Sequence, residues 1–152
     1  MNGHAIRELA KAWATVAHDG VSRKGAGEPY FNHVERVADS VWGWRRKAIA
    51  YLHDVVEDAE YPKEMEKALC TIFPYDIIND VMRLSRMPDE DGRKQEYQQW
   101  IEMIAASGNQ DVIAVKLADI EDNLHDITDI VGMEGMQVRY MKAKATLMEV
   151  TK

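Results

Sequence analysis

The stretch KAIAYLHDVVEDAE, residues 47–60, changes character in its middle. Ala48 to Leu52 form an apolar run that suits a helix buried on most sides, and His53, Asp54, Glu57 and Asp58 follow at once. Read as one helix from about Arg45 to Ala59, the stretch sets His53 above Glu57 and Asp54 above Asp58, on neighbouring strips of one surface. Three carboxylates and an imidazole this close to apolar packing repel one another unless a cation or a water-filled cleft compensates them. A divalent metal does so directly, and the mixed nitrogen and oxygen set suits manganese, iron or zinc better than calcium. An exposed acidic helix end is the plainer reading of EDAE taken alone.

Outward from this stretch, apolar residues recur at three- and four-residue spacing with no sustained alternation, so the chain reads as all-α, a bundle of about seven to eight helices. The expected helices run from about Gly3 to His18, Tyr30 to Trp42 and Arg45 to Ala59. A short one opens at Pro62 and another runs from Pro74 to about Ser85. Three more follow, from about Lys94 to Ala106, Gln110 to Ile130 and Met136 to Glu149. Ser22 to Pro29, with Gly25, Gly27 and Pro29, reads as a loop presenting Arg23 and Lys24. Met87 to Arg93 reads as an exposed loop.

At 152 residues the chain has the length of one domain, and I-to-i+4 patterning runs through it without a repeat or linker, so residues 1–152 are expected to form a single unit. With 46% hydrophobic and 30% charged residues it has the composition of a soluble globular protein. No membrane partner is expected. Charge interrupts the apolar positions near the N-terminus, so no signal peptide is read there, and a cytoplasmic location is expected. The single cysteine, Cys70 in KALCTIF, cannot form an internal disulfide and is expected to be buried and inert. A net charge of −7 disfavours nucleic acid polymers, although a bound cation and local basic residues can still admit a small anion.

Two further residues join the candidate site: His33 in EPYFNHVERVA and Asp119 in VIAVKLADIEDNL, each beside an apolar helical stretch. With His53 and Asp54 they make a plausible four-ligand set. Three segments in order, AHDGVSRKGAGEPYFNH (17–33), AIAYLHDVVEDA (48–59) and VKLADIEDNL (115–124), resemble the AH-G-RK…PY..H, LLHDVVEDT and KLAD…N motifs of HD-domain hydrolases. Within that family the resemblance is to the hydrolase module of RelA/SpoT proteins and its short stand-alone relatives, and it covers most of the chain.

The resemblance implies that His33, His53, Asp54 and Asp119 bind a metal, usually manganese in the family, and that Glu57 and Asp58 are the catalytic acidic pair. It further implies that Arg23 and Lys24 hold substrate phosphates or pack along the base, and that Asn123 hydrogen-bonds the nucleotide. Val34 and Ala59 depart from the family's usual proline and threonine without touching a proposed ligand. Asp126 stands where a threonine commonly approaches the base, and a carboxylate there changes the donor pattern that the base must present.

The implied activity is metal-dependent 3′-pyrophosphohydrolysis of guanosine alarmones, (p)ppGpp, or of the adenosine analogues (p)ppApp, on a small nucleotide substrate. A nucleotide phosphatase or nucleoside triphosphate hydrolase of the same type is the nearest alternative, and a catalytically silent nucleotide-binding module is another. Self-association to a homo-oligomer is compatible with all three. His18 and His125 are expected to serve packing, as are Trp13, Trp42, Trp44 and Trp100, while Glu121, Asp122, Asp126 and Asp129 read as a mostly solvated helix face.

Overall fold

A computed structural model describes residues 1–24 and 27–152 of the chain. Among the described residues eight helices succeed one another: α1 (Gly3–Ala17), α2 (Tyr30–Asp39), α3 (Trp44–Leu52), α4 (Pro62–Ile72), α5 (Tyr75–Arg83), α6 (Tyr97–Ser107), α7 (Gln110–Ile127) and α8 (Glu134–Met148). Among the described residues the only β pairing is an isolated bridge between Ser22 and Pro29. It closes the loop that carries Arg23 and Lys24. Gly25, which belongs to that loop reading, lies outside the described residues.

Why α3 sits at the centre follows from its composition. Its residues from Ala48 to Leu52 are all buried, and α1, α2, α5 and α7 each pack against it. Small alanines at 48 and 50 let neighbouring backbones approach on two sides while Ile49 and Leu52 fill the space between them. Helices α6 and α8 form a second layer, with α8 packed on both α6 and α7. Helix α7 therefore touches both layers, and its length gives the site residues on it a fixed frame.

Local chemistry sets the helix ends. Asn2 caps α1 by accepting from Ala5 N–H at 2.8 Å, and Asn109 caps α7 by accepting from Val112 N–H at 3.2 Å. Gly108, at φ 65°, ends α6 in the left-handed conformation that glycine adopts without strain. Helix α6 begins at Tyr97 and not at Lys94, because the Glu96 carboxylate accepts from Gln98 N–H and Gln99 N–H and so fixes the start. Helix α2 stops at Asp39, where Ser40 Oγ and Ser40 N–H both bond to Arg36 O, instead of continuing to Trp42.

The largest departure from expectation lies in residues 53–58, which are turns and not a continuation of α3. The carbonyl of Ala50 receives both the backbone N–H of His53 and its imidazole Nδ1, at 3.4 and 2.6 Å. It is no longer free for Asp54 N–H, so the α-helical ladder breaks and tighter bonds such as Val55 N–H to Leu52 O take over. Cys70 also departs from expectation, being exposed, because α4 turns Leu69 and not Cys70 into the core.

Candidate metal and nucleotide site

Three elements meet at one point. His33 comes from the middle of α2, His53 and Asp54 from the turns after α3, and Asp119 from α7. One potential ligand atom from each lies within 4.8 Å of the others. His33 Nε2 is 3.0 Å from Asp119 Oδ1 and 4.0 Å from Asp54 Oδ2, while His53 Nε2 is 3.0 Å from Asp54 Oδ2 and 3.4 Å from Asp119 Oδ1.

The imidazoles are oriented from behind. Nδ1 of His53 donates to Ala50 O, and Nδ1 of His33 donates to Asp122 Oδ2 at 2.6 Å, so each ring turns Nε2 into the cluster. His53 Nε2 is buried and makes no well-formed hydrogen bond. A buried ring nitrogen with no hydrogen-bond partner, set beside two carboxylates, is suited to sharing a cation with them. The donor set of two nitrogens and two carboxylate oxygens suits a divalent ion, and these four residues can hold one.

Opposite charges within the cluster stabilise one another. Burial opposes charging of both imidazoles, but Asp119 and Asp122 raise His33, and the negative charges of Asp54 and Asp119 raise His53 further. Burial likewise opposes ionisation of Asp54 and Asp119, and the neighbouring His53 and Lys116 nonetheless hold both below the usual carboxylate range.

The sequence reading passed over three residues that support this cluster. Tyr30 Oη donates to Asp54 Oδ2, and burial together with the Asp54 charge keeps the phenol protonated. Lys116 is buried with Nζ 2.8 Å from Asp119 Oδ2, which leaves Oδ1 for the cluster. Its ammonium lies 4.7 Å from the ring centre of Trp100. Asp122 is not a solvated surface carboxylate: it accepts from His33, from Arg23 Nη1 at 2.7 Å and from Arg36 Nε at 2.7 Å. These bonds outweigh its burial and hold it well below the usual range. The available signal was spacing, since Asp122 follows Asp119 by three residues and Lys116 precedes it by three, on one side of a helix.

Glu57 and Asp58 diverge because the chain turns there. Glu57 accepts from Arg86 N–H and lines a cavity of about 250 Å³ together with His33, Asp54, Lys116 and Asp119. Asp58 instead lines a larger cavity of about 1030 Å³ on the other side. Burial raises Glu57. For Asp58, crowding on its protein side and then the charges of Asp54 and Glu57 push the carboxyl up to about 7, although its face on the cavity is open to solvent.

The large cavity also receives Arg23, Lys24, Asn123 and Asp126. Arg23 is not a free cation here. It is 8% exposed, and its Nη1, Nη2 and Nε reach Asp122, Asn123 and Asp126 at 2.7, 2.9 and 2.5 Å. The whole guanidinium thus ties the 18–29 loop to α7, whereas Lys24 is exposed at the cavity. Asn123 also reaches Asp119 Oδ1 at 3.5 Å. His18 is buried against Tyr30 with ring centres 5.0 Å apart, and His125 is exposed. Trp100 is buried, while Trp42 is 88% exposed and forms no part of the core.

No protein-family profile matches the chain. Two curated guanosine-3′,5′-bis(diphosphate) 3′-pyrophosphohydrolases do: that of Haemophilus influenzae is 29% identical over 119 residues, and that of Vibrio cholerae 31% identical over 120. Each alignment takes in 75% of this chain, and the chain spans 17% of the length of those relatives. A solved structure described as a metazoan ortholog of SpoT that hydrolyzes ppGpp superposes with a TM-score of 0.76 at 23% identity, over 96% of this chain and 93% of that one. The chain has that all-helical fold.

Proposed function

We propose that this chain is a metal-dependent 3′-pyrophosphohydrolase of guanosine alarmones or their adenosine analogues, acting in the cytoplasm with manganese as its metal. One observation carries the reading: four ligand atoms lie within 4.8 Å of one another, three of their residues line a small cavity with Glu57, and that cavity shares Tyr30, Asn123 and Tyr140 with a larger one, lined by Asp58, whose volume of about 1030 Å³ suits a nucleoside. The named activities of the two curated relatives and of the superposed structure support the same reaction.

His33, His53, Asp54 and Asp119 would hold the cation, which supplies Lewis-acid polarisation of a phosphate oxygen and lowers the pKa of a bound water. The protein's own groups do the rest. Glu57, fixed by the Arg86 N–H, presents a carboxylate beside the ligand cluster and can accept a proton there. Asp58, pushed up to about 7, is partly protonated near neutral pH and can take up or return a proton on the nucleoside side. Asn123 and Asp126 offer hydrogen-bonding groups to sugar and base, and Lys24 offers charge to phosphate. Arg23 acts by holding Asn123 and Asp126 in place. No covalent nucleophile is needed.

The test is a nucleotide panel incubated with manganese-loaded protein, with products separated by ion-exchange chromatography. The expected result is pyrophosphate released from a 3′-pyrophosphorylated nucleotide. Orthophosphate release, or pyrophosphate release from 5′-triphosphates, would assign a different nucleotide hydrolase. Binding without any turnover would assign a silent nucleotide-binding module.

A further inference from the structure

Among the described residues four buried polar side-chain atoms have no hydrogen-bond partner: His18 Nε2, His53 Nε2, Tyr97 Oη and Arg139 Nε. Three of them belong to the ligand cluster or to the small cavity around it. His18 is the exception. It stands at the end of α1, is 4% exposed and lines the large cavity instead. Contact with Tyr30 accounts for a flat ring at this position but not for its nitrogen, since an aromatic hydrocarbon would pack as well and leave nothing unpaired.

Position narrows what the nitrogen can meet. Tyr30 joins His18 to the cation ligands: its ring centre is 5.0 Å from that of His18 and 5.5 Å from that of His33, and its hydroxyl donates to Asp54. The charges of Asp54, His53 and His33 all act on His18. His18 is therefore one side chain away from the point where the scissile phosphorus sits in the proposed reaction. A nucleoside bound with that phosphorus at the ligands brings its ribose to this distance, while Trp13, Ala17, Met65 and Met133 give the same cavity an apolar wall for the base.

The chemistry of the ring narrows it again. Burial pushes the His18 imidazole down, so it is uncharged at neutral pH. Neutral Nε2 donates in one tautomer and accepts in the other. A hydroxyl does both and suits either, whereas a carbonyl or ring N–H of a base suits only one. In a nucleotide pyrophosphorylated at its 3′ and 5′ oxygens, the 2′-hydroxyl is the one free hydroxyl of the sugar.

We propose that His18 is a specificity-determining residue whose Nε2 hydrogen-bonds the 2′-hydroxyl of the substrate's ribose, so that the site favours ribonucleotides over 2′-deoxyribonucleotides. The inference rests on the proposed reaction for the placing of the sugar, and it adds the sugar to what the site reads. Because the 2′-hydroxyl neighbours the 3′ oxygen that leaves, the same contact holds the ribose beside the bond that breaks.

Calorimetric titration of the protein in manganese, with guanosine and adenosine 5′-diphosphates and with their 2′-deoxy counterparts, reads this contact without the proposed turnover. The wild type should bind the ribonucleotide of its preferred base about tenfold more tightly than the deoxy form. His18→Phe keeps a ring beside Tyr30 and removes both nitrogens. It should lower ribonucleotide affinity about tenfold, to that of the deoxy form, while deoxy binding and manganese affinity stay within about twofold. His18→Leu is a second variant with the same expected collapse of the ratio. A wild type with no ribose preference, a preference that survives both variants, or no binding of any of the four nucleotides would each overturn the assignment. An equal loss for ribo and deoxy forms together with weakened manganese binding would also overturn it, and would reduce His18 to bracing Tyr30. A ribose preference that depends on His18 in a protein that hydrolyses no 3′-pyrophosphorylated nucleotide would support the sugar contact and overturn the proposed reaction.

Discussion

The ligand cluster and the wall of the large cavity are built on different terms. Around the cluster each group has a holding partner of its own: His33 has Asp122, His53 has Ala50 O, Asp54 has Tyr30 and Asp119 has Lys116, with partners from α2, α3 and α7. The large cavity's polar wall depends on one loop, whose Arg23 pairs with Asp122, Asn123 and Asp126, and on Lys24, which has no such tie among the described residues. Geometry suited to a cation is fixed by dedicated partners, whereas the polar wall of the large cavity is held by few contacts and can change with one residue.

The sharpest way to break the cluster is to remove a ligand. His53→Ala or Asp54→Ala should abolish metal-dependent turnover and reduce bound metal together, read by elemental analysis beside activity; normal metal content and rate in either variant would reassign the ligands. Next comes Glu57→Gln, which preserves shape but cannot accept a proton. It should keep its metal and lose on the order of 10²–10⁴-fold in kcat, and a near-normal rate would move the proton transfer to Asp58.

Tyr30→Phe probes the outer hold on a ligand. Losing the hydrogen bond to Asp54 should weaken divalent metal binding about 10–100-fold by calorimetry, the usual cost of an outer partner. Unchanged or tighter binding would mean that the phenol does not orient Asp54.

On the other side of the comparison, Asp126→Thr releases Arg23 Nε and removes a carboxylate from the base region. The ratio of kcat/KM between guanine and adenine 3′-pyrophosphates should change by about tenfold, with metal affinity unaltered. A constant ratio would confine Asp126 to bracing Arg23.

The smallest effect concerns pH. Asp58 is pushed up from its ordinary 3.8 to about 7 in the fold, so the folded chain binds that proton more tightly than the unfolded one. Its stabilising contribution is full below about pH 4 and is lost as pH rises through about 7. Thermal melts of metal-free wild type and Asp58→Asn should therefore diverge across that window, the variant showing the flatter profile. Parallel profiles would place the carboxyl at its ordinary value.

What could be read from the residues divides along the same line. Helical spacing revealed the eight elements, and His33, His53, Asp54 and Asp119 stood out only as a set, since His33 and Asp119 taken singly look structural and the motif resemblance is what joined them as ligands. The end of α3 after Leu52 was hidden, since it arises from the imidazole of His53 taking its own helix's carbonyl, a contact no periodicity reports. Tyr30, Lys116 and Asp122 were hidden because each looks ordinary alone and gains its meaning from a partner on another element or turn. Arg23 was visible as a basic residue, but only three-dimensional proximity shows that its charge is committed to α7.

One measurement bears most directly on the account: pyrophosphate released from a 3′-pyrophosphorylated guanosine nucleotide, followed together with bound metal as a chelator is added and manganese is then restored. The account predicts one divalent cation per chain, release that stops as the cation is withdrawn, and recovery when manganese returns. Release that continues undiminished from metal-depleted protein would contradict it.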